Sequence, residues 1–314
     1  MTPIRLALVG LGKIARDQHL PALTVSPTFE LVCGASLDGR CPVGATYGGV
    51  EAMLAAEPGI QAVAMCQPPQ ARFEAARTAL AAGKHVLLEK PPGATVGEVA
   101  ILADMARERG LTLFTAWHSR YAAAVEPARA WLRGRRVLSA AVTWREDARV
   151  WHPGQRWIWQ PGGLGVFDPG INALSIATEI LPPLRLSAAT LSFPSNQEAP
   201  VTADLALTAG EDIPVSCDFH FLQVGEQIWD ICVQTDAGEL WLRQGGARLQ
   251  IDGVEQPLPA QAEYPVVYAR FADLIAREES EVDLRPLQLV ADAFLRGERR
   301  TAPPFHDPPP GSSA

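Results

Sequence analysis

The chain has 314 residues, 47% hydrophobic and 20% charged, with 27 Lys and Arg against 35 Asp and Glu for a net charge of −8. That is the composition of a folded chain long enough for two domains, and it leaves no basic footprint for nucleic acid. The five cysteines are scattered without zinc spacing, no run of 18 apolar residues occurs, and no signal-type segment precedes the first strand. These features exclude a cysteine metal site and a membrane span, and they place the chain in the cytoplasm by expectation.

The first strand spans residues 4–9 and runs into Gly10-Leu11-Gly12-Lys13-Ile14-Ala15. In a dinucleotide-binding turn, Gly10 permits the tight bend and Gly12 lets backbone approach a pyrophosphate. Ala15 allows close helix–strand packing, and the helix over 14–23 presents its N-terminus to the phosphates. Glycines also make ordinary turns, so the flanking strand and helix carry the reading. A second strand over 29–35 ends at Ser36-Leu37-Asp38. An acid there accepts from a ribose 2′-hydroxyl and repels a 2′-phosphate, which favours NAD; Arg40 keeps NADP open, and Asp38-Gly39 as a plain turn is the bland alternative.

A third strand over 60–66 ends at Gln67-Pro68-Pro69, a helix over 71–82 stops at Gly83, and a fourth strand over 86–88 leads into Glu89-Lys90-Pro91. Ligands of an open α/β sheet bind at the carboxyl ends of its strands, so Lys90 stands where chemistry is done. A lone lysine is usually solvated, but prolines on its C-terminal side restrict this one, and a Lys-Pro bond can be cis. A helix over 96–109, Gly110 and a strand over 111–115 complete an alternation that implies right-handed crossovers and a parallel sheet. The candidate cofactor contacts are Gly10, Gly12, Lys13, Ile14, Ser36, Leu37, Asp38, Gln67, Pro68, Glu89 and Lys90.

After His118 the pattern changes. A strand over 137–145 precedes a segment rich in Trp, Gly and Pro over 151–165 and a helix over 168–181. Strands over 184–193, 201–207, 215–221, 229–235 and 239–243 follow, with turns at Asp236-Ala237-Gly238 and Asp252-Gly253. Helices over 264–278 and 285–296 precede a tail over 301–314 that holds five of the 27 prolines and reads as mobile. The expected organisation is an α/β Rossmann domain over 1–120, then an α+β substrate domain over 121–300 built on a large, mostly antiparallel open sheet. A sheet with one uncovered face pairs readily, so a homodimer through that sheet is expected.

Gly10-Leu11-Gly12-Lys13-Ile14-Ala15, Glu89-Lys90-Pro91 and Gly162-Gly163 followed by Asp168-Pro169-Gly170 together resemble the oxidoreductase family of glucose–fructose oxidoreductase and inositol 2-dehydrogenase. The resemblance covers nearly the whole chain. Within the family, residues 13–21, Trp117-His118-Ser119-Arg120 and Trp151-His152-Pro153-Gly154-Gln155 are similar to bacterial aldose 1-dehydrogenases acting on L-arabinose and D-galactose. Many members carry a histidine four residues after the aspartate; here that position is Asn172, an amide that cannot serve as a base.

The resemblance implies oxidation of an aldopyranose at C1 to the lactone with NAD or NADP. Asp168 is then the base and Lys90 the oxyanion stabiliser; a desolvated neutral Lys90 acting as base stays open. Read by itself, Asp168 is more readily a helix N-cap, and the resemblance reverses that reading. His118, Trp151, Asn172 and Trp229 are the implied sugar contacts, although single tryptophans and histidines more often pack in cores. A non-catalytic nucleotide-binding sugar sensor and a dehydrogenase of another polyol are the other readings of the same fold.

Overall fold

The computed structural model describes residues 2–306, which group into two compact units. The first unit contains β1 (Ile4–Val9), β2 (Phe29–Ala35), β3 (Thr46–Tyr47), β4 (Ala62–Met65), β5 (His85–Glu89) and β6 (Leu113–Ala116). They pair in parallel in the order β3-β2-β1-β4-β5-β6. Every residue of β4 and β6 is buried, as expected of parallel strands covered on both faces. The order reverses beside β1, so β1, β2 and β4 open at one crevice.

Helix ends follow local chemistry. Thr95 and Glu98 form a reciprocal capping box before Val96–Glu108, with the Thr95 hydroxyl accepting from the Glu98 amide at 3.1 Å. Gly83 and Gly110 take positive φ just past the ends of Arg72–Ala81 and Val96–Glu108. The helix after the glycine turn contains a π-helical turn, Ala15–His19, a wider coil than the regular helix expected there. Strand β3 and the helix Val50–Ala56 were not expected. The strand has two residues, and the helix begins at Gly49 without a side-chain cap, so neither carries a periodic signal.

The second unit holds β7 (Val137–Arg145), β8 (Leu184–Pro194), β9 (Thr202–Ala209), β10 (Ile213–His220), β11 (Ile228–Thr235), β12 (Gly238–Arg243), β13 (Arg248–Ile251), β14 (Val254–Glu255) and β15 (Glu298–Ala302). Its sheet runs β14-β13-β12-β11-β7-β10-β9-β8-β15. All pairings are antiparallel except β7 with β10 and β8 with β15, matching the expected mostly antiparallel sheet. The helix Phe167–Ile180 is buried along nearly its whole length and packs on Val125–Leu132 and Arg285–Arg296.

Two boundaries differ from the sequence reading. Ala262–Leu284 groups with the first unit rather than with the substrate domain. In the helix Glu263–Ala276, Phe271 stacks on Phe29 and Phe114 at 5.6 and 6.1 Å, and Tyr268 meets Phe29 edge-on. Glu281 then extends the first sheet by exchanging backbone bonds with Leu113 and Thr115 at 3.0 Å. The proline-rich tail is also ordered at its start. β15 pairs with β8, the Phe305 amide donates to Asn196 Oδ1 at 2.9 Å, and the Phe305 ring packs on Trp159 at 4.5 Å. The remainder, 307–314, lies outside the described residues. Among the described residues no helix is long and apolar enough to cross a membrane, and no cluster of His, Cys, Asp and Glu could hold a metal.

Candidate functional site

In the first unit, a cleft of about 560 Å³ opens over the carboxyl ends of β1, β2 and β4. Gly10, Gly12, Gln67, Pro68, Ser36, Leu37 and Asp38 all line it. Gly10 has φ +88°, and a Cβ there would meet the Gln67 amide nitrogen at 2.5 Å; nothing stands within 4 Å of a Cβ at Gly12. The turn is therefore closed against β4 at Gly10 and open at Gly12, the shape a pyrophosphate requires. Ser36 Oγ accepts from the Gly39 and Leu11 amides at 3.0 and 3.4 Å, fastening the glycine turn to the turn carrying Asp38.

These residues fit a dinucleotide. Lys13 and Ile14 do not line the cleft; the Lys13 ammonium turns to Asp17 at 2.5 Å. Arg16, Glu51 and Glu74 do line it and were not singled out in the sequence. Arg16 folds back onto the Leu11 carbonyl at 3.0 Å. The carboxylates come from helices whose contribution to the cleft depends on tertiary packing, so no short motif marks them.

At the end of β5, Lys90 is half-buried and its bond to Pro91 is cis. Two buried devices hold this turn. Arg72, 2% exposed, donates to the carbonyls of Gln67, Glu89 and Pro91, tying the turn after β4 to the turn after β5. Glu89, 1% exposed, accepts the Lys90 amide at 2.7 Å, the His19 Nε2–H at 3.2 Å and the Tyr264 hydroxyl. Both side-chain oxygens of Glu89, an expected cofactor contact, are bonded within the protein, one by the Lys90 amide and the other by His19 and Tyr264.

Burial pushes the Glu89 carboxyl up, but bonding to and attraction by His19, with His118 and Tyr264, outweigh that and hold it at about 2. Burial likewise opposes charge on His19, yet Cys66 and Tyr268, followed by the Glu89 bond, raise it well above the ordinary imidazole value. Its Nδ1 meets the Tyr268 hydroxyl at 2.7 Å. Both shifts favour the charged form of the pair. His118, expected at the sugar, engages Glu263 through Nδ1 at 2.5 Å and stacks on Tyr264 at 5.3 Å.

In the second unit, β7 ends beside Glu146, which is 3% exposed. Its carboxylate accepts the Trp229 indole N–H at 2.9 Å and lies 2.7 Å from His152 Nε2. The other ring nitrogen of His152, Nδ1, is 3.6 Å from Asp168 Oδ2, and it is buried without a hydrogen-bond partner. Asp168 itself is 3% exposed, in the first turn of Phe167–Ile180. The helix is capped at Val166 with no side-chain bond, so Asp168 is not its N-cap; the helix dipole stabilises the carboxylate instead.

Asn172 stands one turn further along the same face, half-buried. Trp229 stacks on Trp144 at 6.1 Å and meets Trp151 edge-on at 4.8 Å. Trp151 is 40% exposed, whereas Trp144 and Trp159 are buried and serve the core. Gly163 explains the paired glycines: a Cβ there would meet the Trp157 and Ile158 carbonyls at 2.2 and 2.4 Å. Glu146 and His152 were not singled out from the sequence. Glu146 lies one residue past a strand and His152 at the end of a four-residue helix, positions whose convergence depends on the sheet.

The sequence and the fold have counterparts among known proteins. Residues 4–117 match the model of the oxidoreductase family with NAD-binding Rossmann fold. A galactose 1-dehydrogenase of Pseudomonas fluorescens is 46% identical over 308 residues, 98% of this chain and all of that one. The crystal structure of a D-galactose-1-dehydrogenase from Rhizobium etli superposes with a TM-score of 0.93 at 52% identity, covering 98% and 99% of the two chains. A 3-ketoreductase from Actinomadura kijaniata, in complex with TDP-benzene and NADP, shares the fold at 22% identity, with a TM-score of 0.85 over 96% and 100% of the chains. The chain is an NAD(P)-dependent sugar dehydrogenase, and it belongs to the oxidoreductase family of glucose–fructose oxidoreductase and inositol dehydrogenase.

Proposed function

We propose that the protein oxidises D-galactose, and L-arabinose through the same pocket, at C1 to the aldonolactone, with NAD preferred. The observation that carries the reading is Asp168: a buried carboxylate whose neighbour His152 is tied through Glu146 to Trp229, with Trp151 against the same indole. Exposed indole offers an apolar face for sugar C–H groups. The 46% and 52% identities to two galactose dehydrogenases support the substrate. The two sugars share ring configuration and differ only at the C5 hydroxymethyl, so one pocket suits both.

When bound, the nicotinamide supplies the hydride acceptor. Asp168 takes the anomeric hydroxyl proton, the Lys90 ammonium stabilises the developing oxyanion, and His118 and Asn172 hold ring hydroxyls. Arg72 and Glu89 fix the Lys90 turn from beneath.

NAD preference is supported by the acids along the cleft. Asp38, Glu51 and Glu74 line it, and Arg40 does not. Arg16 also lines the cleft but is bonded to the Leu11 carbonyl at 3.0 Å, so a 2′-phosphate would meet three carboxylates against one guanidinium that is already engaged. Initial rates on an aldose panel, read as absorbance at 340 nm, are expected to be highest with D-galactose and L-arabinose. The kcat/KM for NAD should exceed that for NADP, and Asp38→Ser should narrow the gap. A strong NADP preference in the unmutated enzyme overturns the cofactor reading. No rate with any aldose overturns the substrate reading.

Trp151→Ala tests the sugar contact. The ring is 40% exposed, so its loss should spare the fold. Stacking acts on ground and transition states alike, so KM for galactose should rise about tenfold with kcat and KM for NAD nearly unchanged. A variant that lowers the melting temperature and leaves KM alone makes Trp151 a packing residue.

A further inference from the structure

We propose that His152, held by Glu146, is the proton relay behind Asp168, so that an imidazole from a different element takes up the proton work for which Asn172 is unsuited. The inference rests on the sugar-oxidation reading above and adds to it where the proton goes. Three facts converge. Glu146, 3% exposed, is 2.7 Å from His152 Nε2 and is fixed from its other side by the Trp229 N–H. An ionised carboxylate only accepts, so Nε2 carries a hydrogen and neutral His152 turns the lone pair of Nδ1 to the other side. There Nδ1 is buried, unbonded and 3.6 Å from Asp168 Oδ2.

That distance has a physical reading. A carboxylate and an imidazole lone pair are both acceptors and stand apart at 3.6 Å; one proton between them would close the gap to a hydrogen bond. The arrangement is therefore a receptor for one proton. In the oxidation, the anomeric O–H bond breaks and its proton goes to Asp168. Its electron pair forms the C1=O bond as hydride leaves C1 for the oxidised dinucleotide. Asp168 then donates the same proton to His152 Nδ1, returning to carboxylate, and the imidazolium formed lies between two carboxylates. His152, 16% exposed at its side chain, releases the proton to water and regains its neutral form. Sugar loses one hydride and one proton, and Asp168 and His152 are unchanged after each turnover. His152 does not touch the sugar in this scheme and acts only through Asp168.

The test is kinetic, on the full-length enzyme with galactose and NAD and with L-arabinose in parallel. His152→Ala should lower kcat by about 10²-fold, the lower end of general-base contributions, with KM for sugar and NAD changed by less than about threefold. Added imidazole should restore kcat in proportion to its concentration, because the deleted ring leaves a space beside Asp168. A residue that merely packs would give no such rescue. His152→Gln preserves volume and the bond to Glu146 but has no basic nitrogen, so it should lose the same kcat at an unchanged melting temperature and show no rescue. Unchanged turnover in either variant overturns the relay. So does a loss in His152→Ala that imidazole does not restore in protein of unaltered melting temperature. A wild-type enzyme silent on every aldose overturns the substrate reading, and the relay with it; an active wild type beside unaffected variants overturns the relay alone.

Discussion

Glu89→Gln should destabilise the first unit by about 3–5 kcal/mol, the usual cost of removing one partner from a buried ion pair. The change is nearly isosteric and keeps an acceptor for the Lys90 amide, but it turns an amide NH2 towards the His19 Nε2–H and the Tyr264 hydroxyl, so the loss combines the charge with two accepted bonds. His19, 0% exposed, would be left as a buried imidazolium without its counter-charge. The effect should depend on pH with a definite sign. Glu89 is held at about 2 against an ordinary 4.5, so its contribution is present above 4.5 and disappears as pH falls from 4.5 towards 2. His19 is raised well above 6.5, so its contribution is present below 6.5 and disappears as pH rises through its folded value.

The difference between wild type and variant should therefore be widest between about pH 4.5 and 6.5 and narrow on either side. Urea midpoints at about pH 5.5 and pH 8.5, followed by tryptophan fluorescence, measure it. An equal difference at both pH values would mean that packing, not charge, holds the pair. Activity should fall as well, because Glu89 and Arg72 fix the backbone from which Lys90 projects.

Much of this architecture is local and therefore legible in sequence. Gly10 sits at φ +88° against the Gln67 backbone, a position only glycine fills, and the alternation of strand and helix through residue 116, apart from β3 and the helix Val50–Ala56, follows from period and punctuation. Among the strands after residue 137, β7, β9 and β10 were equally readable because they largely alternate buried with less buried residues, whereas the short β13 and β14 and the exposed β15 were not expected. What stayed hidden was set by packing. The helix Glu263–Ala276 shows an apolar face, but nothing in that face says which sheet it covers; Phe271 and Tyr268 lie against Phe29 and Phe114.

Site residues divide along the same line. Asp38 and Lys90 stand at strand ends, where chain order gives position. Glu146 and His152 meet Asp168 only because β7, a four-residue helix and the helix Phe167–Ile180 converge. Glu89, an expected cofactor contact, adjoins Lys90 in the same motif. Strand alternation turned its side chain instead into the core, among His19, Tyr264 and the Lys90 amide.

Asp168→Asn should reduce kcat by about 10²–10⁴-fold, the range of a general base, while leaving the fold and dinucleotide binding intact. The carboxamide matches the carboxylate in size, its N–H can reach the His152 Nδ1 that is otherwise unbonded, and Asp168 is not part of the cleft lined by Gly10 and Asp38. Melting temperature and NADH binding by fluorescence are the controls. Lys90→Met removes the ammonium proposed to face the oxyanion and should cost a comparable factor. If base and oxyanion stabiliser act in one step, the double variant should be little slower than either single one, because removing one already forfeits what the other contributes. The three turnover numbers decide among mechanisms. Near-normal turnover in Asp168→Asn would reduce Asp168 to a dipole-stabilised structural acid. Loss confined to Lys90→Met would make the lysine the base. Fully additive losses would mean that the two residues are not coupled and contribute independently, which overturns their action as one unit.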